Sequence, residues 1–298
     1  MLDEPGGETL RGRLLLLRAL DSMRAVGDDS LSLLAEHARV RRFRRGDFLL
    51  DEGGPVDTVY IVVAGQVTVT RRGEPVAVVK RGYGAGFAPL IARDPNGVRA
   101  VADVDTTTLE IPADALLDTY ERDFAFVRNV LRLQAVQIAS ARGGLPVDPD
   151  RPPPVDLGTW RERQVTLVER LLATRKVPLF ATANLDAVVE LLRSQVEVRY
   201  PAGEVLWRIG EPATYSLRID CGRVRCTAGD GRAVDVGAQQ WIGAMDCFAE
   251  LPRRFEARTE TPVIAYRGDI ETLLAVLEAH FDMAMDFVGN LARQSLGS

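Results

Sequence analysis

The chain carries the same framework of glycines and prolines twice, at one constant spacing of 157 residues. The pairs are Gly46 with Gly203, Gly53 with Gly210, Pro55 with Pro212, Gly65 with Gly222, Gly86 with Gly243, and Pro95 with Pro252. Apolar positions such as Val67 and Val224 follow the same spacing. Chance would not hold so many positions at one spacing, so the sequence is a tandem duplication. The two halves are therefore predicted to share one fold.

A segment rich in proline and glycine, ARGGLPVDPDRPPPVDLG at residues 141–158, separates the two copies. Its prolines exclude a regular helix or central strand and favour an extended, semi-rigid connector. We therefore predict a first domain at 14–140, a connector at 141–158 and a second domain at 159–298. A chain of 298 residues is long enough for two domains of ordinary size.

Each copy contains short β-rich runs interrupted by glycine, such as VYIVVAGQVTVT and SLRIDCGRVRCT. Many short strands separated by glycine turns are typical of a sandwich or barrel, and here they predict a jelly-roll-like β-roll. Helical patterns lie before and after the strands of each copy. The predicted fold class is therefore α+β, with two β-rolls that are each flanked by N- and C-terminal helices.

A stripe of mostly apolar residues at spacings of three and four predicts a closing helix in each copy. The stripe comprises Phe124, Val127, Leu131, Gln134 and Ile138 in the first copy, and Leu274, Leu277, Phe281, Ala284, Val288 and Leu291 in the second. Such a face can pack on the β-roll or form a helix pair between two subunits. The second interpretation predicts a homodimer through the C-terminal helix.

The charge and the terminal sequence exclude several classes of protein. A net charge of −5 and a pI near 5.3 argue against a general nucleic-acid binder. The N-terminus MLDEPGGETLRG lacks a signal-peptide core, and the apolar run Leu14 to Leu17 is far too short to span a membrane. Three cysteines without metal-type spacing are typical of reduced thiols. These features together predict a cytoplasmic protein without a membrane partner.

The sequence offers little for catalysis. Its two histidines, His37 and His280, lie in opposite copies, whereas metal-dependent enzymes with a double-stranded β-roll need clustered histidines and a carboxylate. No Walker loop, nucleophile elbow or Cys/His pair is present. We therefore expect no enzymatic activity, no cofactor and no metal.

Two stretches of the repeat resemble a known family, RRFRRGDFLLDEGGPVDTVYIVVAGQVTVT and VRYPAGEVLWRIGEPATYSLRIDCGRVRCT. They are similar to the cyclic-nucleotide-binding domain of bacterial catabolite activators and of the protein kinase A regulatory subunit. The segment KVPLF, from Lys176 to Phe180, looks like the start of the family's second domain. The resemblance covers roughly residues 14–140 and 160–296. Because the chain ends directly after the last closing helix, no helix-turn-helix and no DNA partner are expected.

The resemblance also implies a phosphate-binding cassette, which reads approximately Gly-Glu-x-Ala-Leu and then Pro-Arg-x-Ala. In the family, the Glu accepts a hydrogen bond from the ribose 2′-OH, and the Arg neutralises the cyclic phosphate. Backbone N–H groups of a short helix add positive potential. The matching positions are Gly86, Phe87, Ala88, Asn96 and the nearby Arg99 in the first copy, and Gly243, Ala244, Met245, Asp246, Arg253 and Arg254 in the second.

The first copy departs from this pattern at both contacts, since Phe87 stands at the Glu position and Asn96 at the Arg position. Phenylalanine has no hydrogen-bond acceptor for a ribose hydroxyl, and asparagine cannot neutralise a phosphate. Arg93 and Arg99 each lie three residues from Asn96 and could reach in, although a solvated surface arginine is the commoner outcome. We expect no ordinary cyclic AMP binding in this copy.

The second copy keeps Arg253 but has Ala244 at the Glu position and Asp246 inside the cassette. Arg253 and Arg254 together supply positive charge, whereas Asp246 would repel a phosphate at short range. Asp246 could instead pair with Arg253 and leave a ligand-free site that is satisfied by its own side chains. The sequence favours this second interpretation.

Two functions remain open. In the first, both β-rolls have lost their ligand and serve as a non-enzymatic regulatory scaffold that binds another protein. In the alternative, one β-roll is a sensor of a cyclic nucleotide or another small anion, held in the second domain by Arg253.

Overall fold

A computed structural model describes residues 9–23, 25–54, 56–93, 97–148, 154, 156, 158–181 and 183–295. The chain forms two compact units. The first consists of residues 1–130 and 288–298, and the second of residues 131–287. The predicted domain boundaries at 140 and 159 stay a prediction beside these units.

The first unit is an antiparallel β-roll made of two four-stranded sheets. Its strands are β1 (Arg39–Phe43), β2 (Phe48–Leu50), β3 (Thr58–Ala64), β4 (Val67–Arg71), β5 (Glu74–Val79), β6 (Gly84–Ala85), β7 (Arg99–Ala102) and β8 (Thr106–Pro112). One sheet has the order β1-β8-β3-β6 and the other the order β2-β7-β4-β5. The helices that begin in this unit are α1 (Leu10–Arg18), α2 (Asp28–His37), α3 (Phe87–Ala92), α4 (Ala113–Arg122) and α5 (Phe124–Ala141), with a 3-10 turn at Asp21–Met23.

The second unit repeats this architecture. Its strands are β9 (Val196–Tyr200), β10 (Val205–Trp207), β11 (Tyr215–Cys221), β12 (Val224–Ala228), β13 (Ala233–Val236), β14 (Trp241–Ile242), β15 (Phe255–Thr259) and β16 (Val263–Asp269). The sheet orders are β14-β11-β16-β9 and β10-β15-β12-β13. The helices that begin in this unit are α6 (Leu167–Thr174), α7 (Pro178–Ala181), α8 (Leu185–Ser194), α9 (Ala244–Phe248), α10 (Ile270–Ala279) and α11 (Phe281–Ser295).

The predicted duplication and fold class are confirmed at the level of the backbone. Strands β3 and β11 begin 157 residues apart, and so do β1 and β9, β8 and β16, and α4 and α10. The four repeated glycine pairs all have left-handed φ angles, between +81° and +98°. Only glycine adopts this conformation without strain, which explains why the glycines recur. Pro55 and Pro95 lie outside the described residues.

The core of the second unit lies between its two sheets. It contains Leu217 and Ile219 from β11 and Trp207 from the opposite sheet. Leu145, from the segment predicted to be a connector, belongs to this core and is only 1% exposed. Val147 packs against the same core. The described start of the connector is therefore part of the packed second unit.

The predicted closing stripe is one helix in the first copy and two helices in the second. In the first copy it lies on α5, as expected. In the second copy the predicted single helix is wrong, because the helix breaks at His280 between α10 and α11. Most of the stripe is buried within the chain itself, including Leu277, Ala284 and Val288. A homodimer stays a prediction, and it would need side chains outside this buried stripe.

Candidate functional site

The predicted cassette of the second unit is a tight turn that leads into a short helix. Strand β14 ends at Ile242, and Gly243 follows with a φ of +81° as the residue before α9. Ala244 and Met245 begin the helix and are half-buried. Gly86 makes the same turn in the first unit, with a φ of +90° before α3. Both cassettes therefore begin with the left-handed turn that the duplicated glycines predict.

The Arg253 side chain is buried inside the second β-roll, with only 1% of the residue exposed. Its Nη1 donates a hydrogen bond of 3.1 Å to the Gly243 carbonyl oxygen, and its Nη2 donates to the Tyr215 carbonyl oxygen. Its Cζ lies 4.1 Å from the centroid of the Trp207 ring and 4.9 Å from that of Tyr215. The guanidinium is thus held by backbone oxygens and aromatic faces of its own unit.

The close approach of Arg253 to Gly243 depends on the missing side chain of the glycine. A Cβ added at Gly243 would lie 2.4 Å from Nη1 of Arg253 and 3.2 Å from Cη2 of Trp207. At Gly86 an added Cβ would instead lie 2.9 Å from Cδ1 of Leu50 and 2.9 Å from the Thr58 carbonyl oxygen. The same space beside the turn is filled by a guanidinium in one unit and by hydrocarbon in the other.

Asp246 pairs with Arg254 and not with Arg253, so the predicted pair is wrong. Arg254 Nε lies 3.0 Å from Asp246 Oδ1, and the Arg254 backbone N–H donates to Oδ2 at 3.4 Å. Arg253 instead directs its guanidinium to the carbonyl oxygens of Gly243 and Tyr215. Burial raises the pKa of Asp246, while the hydrogen bond and charge of Arg254 act in the opposite direction.

Cys247 is a further component of this site, which the sequence analysis treated only as a reduced thiol. Its Sγ lies 3.8 Å from Nη1 of Arg253 and 3.2 Å from the Tyr215 carbonyl oxygen. Burial raises the pKa of the thiol to about 11, although the positive charge of Arg253 lowers it in part. Cys247 is therefore a protonated thiol at neutral pH, and it does not neutralise the guanidinium.

The cassette of the first unit turns its aromatic residue toward other aromatic rings. The Phe87 ring lies 6.0 Å from the Tyr120 ring, and Tyr120 stacks on Phe126 at 4.6 Å. Ala88, the next residue of α3, is half-buried. These contacts make Phe87 a packing residue between α3, α4 and α5.

The arginines near the first cassette lie at the surface. Arg99 is exposed on β7, pairs with Asp51 at 3.0 Å, and lies 5.5 Å from the ring of Phe48. Arg93 is also exposed, in a left-handed conformation at the end of α3. Asn96, predicted at the Arg position of the cassette, lies outside the described residues.

An open cavity of about 570 Å³ lies beside the second cassette. Its wall includes Gly143, Gly144, Leu251, Arg253 and Arg254. Gly144 has a φ of +86°, and a Cβ there would lie 3.0 Å from Cβ of Arg254. Sequence reasoning missed the role of residues 143 and 144 in this site. The two consecutive glycines were the available signal for such a close backbone approach.

The described residues contain no group of three or more His, Cys, Asp or Glu side chains that could hold a metal ion. Within the same residues, the helices are all too short or too polar to cross a membrane.

Comparison with family models decides the family. The model described as "Cyclic nucleotide-binding domain" matches residues 40–123 and again residues 197–280, which together make more than half of the chain. The chain belongs to the cyclic nucleotide-binding domain family. The two matches of this family coincide with the two β-rolls and include both cassettes. A sequence comparison with curated proteins found no match.

Several solved structures resemble the chain at low identity. A regulatory subunit of a cAMP-independent protein kinase A from Trypanosoma brucei is 14% identical, covering 100% of this chain and 92% of that one with a TM-score of 0.35. The regulatory domain of Toxoplasma gondii protein kinase A, solved with cAMP, is 13% identical over 98% of both chains with a TM-score of 0.36. The N-terminal domain of a Streptomyces coelicolor A3(2) transcriptional regulator is 27% identical over 40% of this chain and 89% of that one, with a TM-score of 0.36.

Proposed function

We propose that the chain is a non-enzymatic regulatory protein that acts through contacts with another protein, and that neither β-roll binds a cyclic mononucleotide. The observation that carries the proposal is the buried guanidinium of Arg253. In the family this arginine neutralises the cyclic phosphate, whereas here it is bound to the carbonyl oxygens of Gly243 and Tyr215.

Binding a phosphate at Arg253 would disrupt these internal contacts. To present Nη1 and Nη2 to a phosphate, the guanidinium would have to leave two backbone carbonyl oxygens and the faces of Trp207 and Tyr215. A buried acceptor without its donor costs about 1–3 kcal/mol. This cost would weaken phosphate binding on the order of tenfold or more.

The ribose contact is missing as well. Ala244 has no side-chain acceptor, and the buried carboxylate of Asp246 in the same helix is already paired with Arg254. A hydrogen bond to a charged group contributes about 1.5–3 kcal/mol, so its loss weakens a nucleoside ligand by roughly ten- to a hundredfold. Leu145 also occupies part of the core between the two sheets. Together these features support a β-roll that is closed by its own residues.

The first β-roll supports the same proposal by different means. Phe87 stands at the Glu position and packs toward Tyr120, while Leu50 and Val56 approach Gly86. Arg99 pairs with Asp51 at the surface. Phe87, Leu50 and Val56 offer no acceptor for a ribose hydroxyl, and the cation of Arg99 is already paired with a carboxylate.

Calorimetric titration of the full chain with cAMP and cGMP tests the proposal. We expect no saturable binding at ligand concentrations up to the millimolar range. The matched variant is Ala244→Glu, which restores a carboxylate at the Glu position without removing any contact of Arg253. Saturable micromolar binding of either nucleotide by the wild-type chain would overturn the proposal.

The alternative function is a sensor of a small anion in the second unit, and the cavity of about 570 Å³ favours it. Nε of Arg253 and Nη2 of Arg254 are buried and have no hydrogen-bond partner among the described residues. Both arginines belong to the cavity wall. A cyclic dinucleotide that binds wild-type chain but not Arg254→Ala would favour this alternative over the scaffold.

A further inference from the structure

The second unit carries a row of polar residues on the face of its sheet that points away from the core. In β11, Leu217 and Ile219 belong to the core, so Arg218 lies on the opposite face. Arg218 pairs in register with Tyr266 of β16, and Tyr266 pairs with Glu197 of β9. Residues opposite each other on antiparallel strands are direct neighbours on one face of the sheet.

Three arginines from different parts of the unit meet at the Tyr266 ring. Arg161 comes from the segment before α6, hydrogen-bonds the Tyr266 hydroxyl at 3.4 Å, and forms an ion pair with Asp220. Cζ of Arg170, on α6, lies 4.2 Å from the ring centroid, and Cζ of Arg218 lies 4.9 Å from it. We call Arg161, Arg170, Arg218 and Tyr266 the Tyr266 cluster.

Helix α6 places Arg170 at this cluster. The helix begins with a capping box in which Thr166 and Glu169 satisfy each other's backbone N–H groups. This cap fixes the first turn, so Arg170 is held in position by the start of the helix.

The cluster has more positive than negative charge. Asp220 pairs with Arg161, and the nearby Glu197 is already bound by Arg199 at 2.9 Å. Arg170 and Arg218 instead donate to neutral amide oxygens. Arg170 Nη2 donates to Gln195 at 3.3 Å, and Arg218 Nη1 donates to Gln239 at 3.2 Å. Among the described residues, two carboxylates, those of Asp220 and Glu197, therefore stand against four guanidiniums. The guanidiniums are those of Arg161, Arg170, Arg199 and Arg218.

Arg218 is the most constrained member of the cluster. It is 1% exposed, and its Nε and Nη2 have no hydrogen-bond partner among the described residues. Nε of Arg161 and Nε of Arg170 are also buried and unpaired there. Burial lowers the pKa of Arg218 and of Arg170, but a guanidinium stays protonated in proteins. A buried charge of this kind needs an anionic partner.

We propose that the Tyr266 cluster binds a small oxyanion with two negative charges, of which phosphate is the representative. The excess of two guanidiniums matches the charge of a dianion, and the unpaired N–H groups match its oxygen acceptors. The exposed 24% of the Arg161 side chain and the half-buried Arg170 leave a route for the anion from solvent. This site is distinct from the cassette, whose residues Gly243 and Arg253 do not belong to the cluster.

Titration of the full chain with inorganic phosphate, at constant ionic strength in chloride, tests the proposal. Calorimetry reports binding, and the thermal transition read by tryptophan fluorescence reports stabilisation. The tryptophan fluorescence reports on the second unit, because the three tryptophans of the chain all lie there. They are Trp160, Trp207 and Trp241. We expect saturable binding and a rise in Tm that saturates with it.

Three variants locate the binding. Arg218→Met should weaken phosphate binding at least about tenfold, because it removes charge-assisted hydrogen bonds. Arg170→Gln should weaken it in the same direction, and it decides the result if Arg218→Met does not fold. Arg258→Met is the matched control, since Arg258 is exposed on β15 and pairs with Glu256. It should bind phosphate like the wild-type chain.

Parallel titrations identify the source of the oxyanion. Sulfate should bind as another dianion. A phosphomonoester such as glycerol phosphate that binds more tightly than inorganic phosphate would assign the site to the phosphoryl group of a larger molecule. The absence of saturable phosphate binding by wild-type chain would overturn the proposal. Equal phosphate affinity in wild-type chain and in a folded Arg218→Met or Arg170→Gln would overturn it too.

Discussion

Gly86 in the first unit and Gly243 in the second have the same left-handed backbone conformation, yet different side chains lie against them. Leu50 and Val56 approach Gly86, whereas Trp207 and Arg253 approach Gly243. Leu50 and Trp207 are partners in the 157-residue repeat. The two copies therefore share the backbone turn of the cassette but differ in the side chains around it, which are aliphatic in the first unit and aromatic and cationic in the second.

The outer faces of the two β-rolls also differ, with an apolar row in the first unit and a charged and aromatic row in the second. Glu197, Tyr266 and Arg218 form the row across β9, β16 and β11. The equivalent row across β1, β8 and β3 consists of Val40, Leu109 and Ile61. One fold thus tolerates either an apolar or a charged row at this position. The apolar row of the first unit needs only to be buried, whereas each charge in the row of the second unit needs a partner.

We expect the largest loss of stability from removing Arg253, because its guanidinium holds the turn at Gly243 in the second unit. Arg253→Ala leaves the carbonyl oxygens of Gly243 and Tyr215 without their donors and opens a cavity beside Trp207. We expect the free energy of unfolding of the second unit to fall by about 4 kcal/mol. Urea unfolding followed by tryptophan fluorescence measures it.

Arg258→Ala is the control for this loss, since it removes an exposed arginine of the same unit. It should change the free energy by less than about 0.5 kcal/mol. Equal losses in the two variants would mean that Arg253 is not a structural residue of the core.

A methyl group at Gly243 is expected to reduce the stability less than Arg253→Ala does. It tests the close contact between this turn and the guanidinium. Gly243→Ala places a Cβ against Nη1 of Arg253, in addition to the strain of a φ of +81°. Gly203→Ala has a similar φ of +85° but no atom within 4 Å of the added Cβ. We expect a loss of about 1–2 kcal/mol for Gly203→Ala from the backbone alone. Gly243→Ala should cost about 3 kcal/mol, because the guanidinium must also shift.

A double-mutant cycle separates the two contributions to the loss at Gly243. In the Arg253→Ala background, Gly243→Ala should cost no more than Gly203→Ala, since the guanidinium is gone. An undiminished cost in that background would contradict the close contact between the two residues.

We expect the smallest change in stability from the charge of Asp246, and this change depends on pH. Burial raises the pKa of this carboxyl above its ordinary value of 3.8 in spite of Arg254. A raised pKa in the folded state gives stability that is present at low pH and is lost as the pH rises through the folded value. The wild-type chain should therefore lose stability relative to Asp246→Asn between pH 3.8 and neutral pH. Urea titrations at several pH values measure the difference, and a relative gain with rising pH would refute it.

Much of the fold follows from the spacing of the repeats, and less of the site does. The paired glycines predicted the turns correctly, because a positive φ leaves few other choices of residue. The pairing of Asp246 was predicted with the wrong arginine, because the sequence does not show that Arg253 binds the carbonyl oxygens of Gly243 and Tyr215. Leu145 was missed, since a proline-rich sequence does not reveal where a single leucine packs.

The polar outer row could have been found from the sequence. Aligned at the repeat spacing, Arg218 and Asp220 stand where the first copy has Ile61 and Val63. A charged residue in place of an apolar one within a predicted strand indicates either an exposed face or a partnered site. Only the burial of Arg218 decides between them.

The duplication, the two β-rolls and the glycine turns follow from the sequence alone, because they depend on local backbone conformation and on hydrophobic periodicity. Only the tertiary structure shows which guanidinium lies beside Gly243, which arginine pairs with Asp246, and which arginines gather at Tyr266. These outcomes depend on how side chains contact one another in the folded chain. Their free energies arise from burial and charge pairing, which no local pattern specifies.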